Sequence, residues 1–108
     1  MEYRRFGNTI YLRLDPKEEI LEEIGKVAKK ENIRLAQVTG LGAINDFTAG
    51  VYNTVTKEYH SIQFQGAFEI VSLTGTVTRK DGDVYLHLHI AAGDEEGHVH
   101  GGNLNRAI

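Results

Sequence analysis

Phe68-Glu-Ile-Val-Ser-Leu-Thr-Gly-Thr-Val-Thr-Arg-Lys-Asp-Gly-Asp-Val-Tyr-Leu-His-Leu-His-Ile-Ala91 consists of two alternating runs on either side of an Asp-Gly pair. Residues 68–78 and 84–91 repeat with a period of two, the period of a strand with one buried face. Asp81-Gly82 between them is a favoured pair for a two-residue turn in which both central residues take positive φ, so the runs are expected to form one hairpin. On the second strand Val84, Leu86, Leu88 and Ile90 make an unbroken apolar face, which places Tyr85, His87, His89 and Ala91 on the other. The same period recurs upstream in 47–53 and 59–64, joined by short polar turns. Together these strands read as one antiparallel meander.

Further upstream, Asp15-Pro16-Lys17-Glu18 carries the marks of a helix start: an acidic N-cap, proline at the first helical position and glutamate at the capping-box position. Ile20, Leu21, Ile24, Val27 and Ala28 follow as one buried stripe, with Glu18, Glu19, Glu22, Glu23, Lys26, Lys29 and Lys30 on the other side. Asn32 is the expected left-handed stop. Alternating runs at 9–14 and 33–39 flank the helix and predict a βαβ-type opening. Gly40-Leu41-Gly42-Ala43 lacks the third glycine and the following helix of a dinucleotide fingerprint, so it reads as a bend. The expected fold class is α/β of the α+β type, a largely antiparallel sheet with one main helix packed on it.

The chain has 108 residues, enough for one domain, with 41% apolar and 25% charged residues and a single proline, an ordinary globular composition. Cysteine is absent, so disulfides and thiolate metal sites are excluded and any metal must use nitrogen or oxygen ligands. No apolar run approaches the ~20 residues of a membrane span, and residues 1–6 lack a signal core; the expected location is the cytoplasm, with no membrane partner. A formal charge of -3 gives no global attraction for polyanions, which counts against DNA as a partner.

Four of the five histidines, His87, His89, His98 and His100, form two His-x-His pairs around a turn-like loop. Alternate residues on a strand share a face about 6.6–6.8 Å apart, so His87 and His89 can converge on one ion. A four-residue loop at 93–96 would pair Ala92 with Gly97, Ala91 with His98 and His89 with His100, bringing His87, His89 and His100 into a triangle with His98 outside it. Three imidazoles with an open fourth position suit zinc or another divalent transition metal. Glu69, a carboxylate in an otherwise apolar run, is the candidate fourth ligand, and Tyr85 lies beside the triangle; these two are the candidate catalytic groups.

Thr39-Gly-Leu-Gly-Ala43, Phe68-Glu-Ile-Val-Ser-Leu-Thr-Gly75, His87-Leu-His89 and Gly97-His-Val-His-Gly-Gly-Asn-Leu104 together resemble the plant and prokaryote conserved (PPC) domain, whose prokaryotic members are provisionally described as DNA-binding. The resemblance spans most of the chain and implies an α/β domain on a largely antiparallel sheet, assembled as a homotrimer. Two features depart from the pattern. Asn103 stands where prokaryotic relatives commonly carry histidine in Gly-Gly-His-Leu, and the chain stops at Ile108 where the family continues through further strand, as a short form or a truncation. His87, His89 and His100 are also similar to the zinc triad of acetolactate decarboxylase; that resemblance implies a metal-dependent lyase, with Glu69 and Arg79 as chemically suitable partners. The functional expectation is a PPC-type DNA-binding or regulatory protein with a three-His metal site, and the alternative is the metal-dependent enzyme.

Overall fold

The computed structural model describes all 108 residues. Strands β1 (Glu2–Phe6) and β2 (Thr9–Arg13) form a separate hairpin, followed by helix α1 (Ile20–Lys30). Four long strands, β3 (Ala36–Tyr52), β4 (Tyr59–Lys80), β5 (Asp83–Gly93) and β6 (Val99–Ala107), pair in order and close into a barrel through β3 and β6. The meander and the single helix are therefore as expected, and closure is the addition. The βαβ opening is not formed: β2 pairs with β1, antiparallel, and not with β3.

Runs expected as separate strands are joined into β3 and β4 by irregularities instead of loops. Register shifts opposite Gly40–Gly42 and opposite Ile44–Asp46 each place one extra residue on β4, and the shift between Ile70 and Ser72 shows the same extra β4 residue against β5, so the bending is concentrated in β4. Each extra residue sharpens the local twist, which is how strands this long wrap around a small barrel. Leu41, at the first shift, is 89% exposed. At the β4–β5 turn Lys80 pairs with Asp83, and Asp81 and Gly82 both take positive φ, 52° and 84°, as the Asp-Gly pair predicts.

Helix α1 begins later than its proline suggests. Lys17 has φ 75°, and the Asp15 carbonyl accepts from the Glu18 amide at 3.2 Å, so Asp15-Pro16-Lys17-Glu18 is a turn with proline second and a left-handed residue third. Glu19 caps the helix instead, accepting from the amides of Leu21 (3.1 Å) and Glu22 (2.8 Å). The same carboxylate accepts from the Ala107 amide at 2.9 Å, tying the helix start to β6. At the other end Asn32 is left-handed as expected (φ 50°), and the Ile33 and Asn32 amides reach the carbonyls of Ala28 and Lys29 in a Schellman pattern.

The apolar stripe of α1 packs against β5 and β6, and Ile20 enters the barrel core with Ile44, Phe47, Phe68, Leu73, Leu88, Ile90 and Leu104. Phe47 and Leu88 are fully enclosed. Glu23, expected on the solvent side, is buried and paired with Lys26 at 3.2 Å. No helix is long and apolar enough to cross a membrane.

Candidate functional site

Strand β5 presents its apolar residues to the core and His87 and His89 to the outside, as the alternation predicts. The two rings are 5.2 Å apart between centroids, at 71° to one another. Opposite them on β4 stand Thr76 (paired with His87) and Thr74 (paired with His89), and on β6 Asn103 pairs with His89. Directly opposed residues share a face. The Nε2 of His87 lies 3.0 Å from Oδ1 of Asn103; with the amide oxygen as acceptor, that ring nitrogen carries the proton. Hydroxyls, imidazoles and one amide thus make a polar patch on the outer wall of the barrel.

His100 does not join it. The Asp94 carboxylate wraps the β5–β6 loop, its Oδ1 accepting from the amides of Glu96 (3.0 Å) and His98 (2.9 Å), and pairing resumes only at Gly93 with Val99. Ala92 therefore pairs with His100 instead of Gly97, a displacement of three residues. An odd displacement turns every side chain of the strand to the opposite face. His100 lands on the inner side with the buried Ala92, stacked on Phe64 at 4.8 Å and edge-on to Phe68. The expected triangle of His87, His89 and His100 is corrected accordingly, and no group of three or more His, Asp or Glu side chains is placed to hold one ion.

Other expected participants are also accounted for. Glu69 pairs with Gly93, on the histidine face but four residues along β5 from His89, about 13 Å by strand rise and out of ligand reach. Tyr85 shares the face, two residues before His87, with the Lys80 ammonium 5.4 Å from its ring centre. Arg79 is a clasp: its guanidinium donates to the Ile33 carbonyl, the Asn32 amide oxygen and the Gly82 carbonyl. His98 lies exposed on the loop, 3.7 Å from carboxylates of Asp94 and Glu96.

Asp94 escaped the sequence reading, although an aspartate opening a short loop is a known amide acceptor. Burial pushes its carboxyl up, but hydrogen bonds from the His98 amide, the His100 ring at 3.3 Å and the Glu96 amide together hold it below the usual carboxylate range. Thr74 and Thr76 were missed although the Asp81-Gly82 turn, by pairing Lys80 with Asp83, already sets them opposite His89 and His87.

A closed antiparallel meander with one packed helix and a histidine-bearing outer wall defines the class of domain. The sequence pattern of the Plants and Prokaryotes Conserved (PCC) domain matches residues 1–108, and the chain belongs to that family. It is similar in structure, at TM-score 0.95 and 32% identity, to a protein from Bacteroides thetaiotaomicron provisionally described as DNA-binding, with 99% of this chain and 75% of that one covered. A plant- and prokaryote-conserved protein from Pyrococcus horikoshii is similar at TM-score 0.84 and 38% identity, covering 89% and 67%. A metal-containing protein from Archaeoglobus fulgidus is similar at TM-score 0.84 and 32% identity, covering 89% and 68%. No curated protein matches the chain. The likeness to acetolactate decarboxylase rested on the three-histidine triangle, and the observed register removes its basis.

Proposed function

We propose that this chain is a DNA-binding regulatory protein that carries a divalent transition metal, zinc foremost, on the His87–His89 face and works as a homotrimer. The observation that carries the DNA reading is the likeness to the Bacteroides protein, which runs through 99% of the chain.

For the metal, the support is the donor set together with the likeness to the metal-containing Archaeoglobus protein. Two imidazoles bound through nitrogen at about 2.1 Å and separated by a tetrahedral angle put their ring centres about 5 Å apart, and His87 and His89 already stand at 5.2 Å. The Oδ1 of Asn103, 3.0 Å from His87 Nε2, is the third donor. An ion taking Nε2 would displace the proton that now bonds this oxygen. Amide oxygen is a weaker partner for zinc than imidazole, so the site is a modest one. Bound there, the metal would act as a Lewis acid with a position open to an outside nitrogen or oxygen ligand. His87, His89 and Asn103 would at the same time fasten β5 to β6.

Support for assembly comes from the β3–β4 ribbon. Its core-facing side continues past the barrel mouth from Phe47 and Phe64 to Ile62 and Val51, which are 50% and 62% exposed. A contiguous apolar surface of this kind calls for a partner.

Three measurements test the reading. Duplex DNA binding should weaken steeply as salt rises, because phosphate contacts release counterions; salt-independent or absent binding overturns the DNA component. Metal analysis after dialysis should find an ion in the wild type and little in His89→Ala. A wild type that holds no metal and takes up no added zinc overturns the metal component. Sedimentation should give three times the 12.0 kDa chain mass.

A further inference from the structure

Of the twelve lysines and arginines, five (Arg4, Arg5, Arg13, Lys26 and Arg106) lie within 4.0 Å of a carboxylate. Of the seven that do not, two stand apart, Lys17 and Lys57. The remaining five, Lys29, Lys30, Arg34, Arg79 and Lys80, gather at one corner of the molecule. The Arg79 clasp makes that corner: by bonding Ile33, Asn32 and Gly82 it holds the α1 end and the β4–β5 turn together. The ammonium groups of Lys30 and Lys80 lie over the rings of Tyr3 and Tyr85, which leaves both charges intact. Glu31 is engaged by Arg5 and Tyr3. Asp81 and Asp83, at the turn itself, oppose the cluster, and Glu22 lines the groove between α1 and β5 beside Lys29.

Five cations against three carboxylates leave this corner positive on a chain whose formal charge is -3. The helix dipole accounts for lysines in the last turn of α1. It does not account for Arg34, which lies beyond the helix, or for Arg79 and Lys80, which come from another strand.

We infer that this corner, Lys29, Lys30, Arg34, Arg79 and Lys80, is the surface that receives the phosphate backbone of duplex DNA. The inference rests on the DNA-binding reading and adds the contact surface to it. Charges presented by a rigid helix end and a tight turn suit a regularly spaced polyanion, and contacts of this kind position a protein without reading sequence. The occupied arginines of the β1–β2 hairpin offer no comparable surplus.

The test is fluorescence anisotropy with a labelled duplex across a salt series. It compares the wild type with the triple variant Lys29→Gln, Arg34→Gln, Lys80→Gln, which spares the Arg79 clasp. A control, Lys17→Gln with Lys57→Gln, removes the two unpaired cations elsewhere. Each phosphate contact contributes about 0.9 to the slope of log affinity against log salt, so the triple variant should lose about 2.7 from the slope and roughly a hundredfold in affinity at 0.15 M salt. The control should keep its slope, and all three proteins should share one thermal midpoint. Wild-type binding that survives unchanged in the triple variant overturns the corner and leaves the DNA reading standing. No duplex binding by the wild type overturns both, as does binding to phosphatidylserine vesicles alone.

Discussion

Asn103 sets the character of the histidine face. Its amide oxygen, where an imidazole could stand, meets His87 Nε2 at 3.0 Å. Asn103→His should therefore raise zinc affinity by at least about tenfold, read by competition with a chromophoric chelator; an unchanged affinity would place any ion elsewhere. Gly75 shows a different residue-scale constraint. It pairs with Leu88, and a Cβ there would run into the His87 carbonyl oxygen and the Leu88 backbone. Gly75→Ala should cost roughly 2–4 kcal/mol in urea unfolding, because neither neighbour is a flexible side-chain end. The faces of β5 were legible from alternation alone, since period two is local. The position of His100 was not, because it depends on how many residues the Asp94 carboxylate gathers into its loop.

At the scale of elements, the Glu19 carboxylate joins α1 to β6 by serving helix amides and the Ala107 amide together. Glu19→Ala should destabilise by about 1–2 kcal/mol, more than an ordinary exposed cap, and Glu19→Gln should recover part of that loss. Thermal or urea unfolding reads both. The helix interior was readable from its apolar spacing, and its C-terminus from Asn32. Its start misled because Asp-Pro with a glutamate following serves a left-handed turn as well as a helix cap; the positive φ of Lys17 decides between them and leaves no trace in composition. Long strands were divided in the reading for a related reason. A glycine pair such as Gly40 and Gly42 marks a break in pattern, and whether pairing resumes across it is a property of the partner strand.

For the molecule as a whole, acid sensitivity follows from a terminal clasp. The Met1 ammonium bonds Asp15 at 2.8 Å and lies 2.8 Å from Glu18. Hydrogen bonding from the ammonium, reinforced by the Asp15 amide, pulls Glu18 from 4.5 down to about 2. Hydrogen bonds to Asp15 and Glu18 raise the ammonium above its ordinary 8.0. Glu18 thus contributes stability that is present above about pH 4.5 and lost as pH falls toward 2. The ammonium's share is complete below pH 8.0 and lost as pH rises through its folded value. The clasp is whole between those limits, and Glu18→Gln should flatten the acid limb of melting temperature against pH. Assembly belongs to this scale too. Ile62→Glu places a charge on the exposed continuation of the core face and should break the proposed trimer into monomers in sedimentation; a trimer that persists would locate the interface elsewhere.

Barrel closure also has a consequence for biosynthesis. Phe47 in β3 pairs with Ala107 in β6, so the strand that completes the ring is the last of the six to leave the ribosome. Until Val99–Ala107 emerges, the nascent domain carries β3, β4 and β5 with two unsatisfied edges, the kind of surface on which growing chains cross-associate. The Glu19 cap must wait as well, since one of its donors is the Ala107 amide. Native structure in this barrel should accordingly arrive all at once when Val99–Ala107 emerges, and a nascent chain halted with that strand still inside the ribosome should be one that proteases still cut and chaperones still recognise.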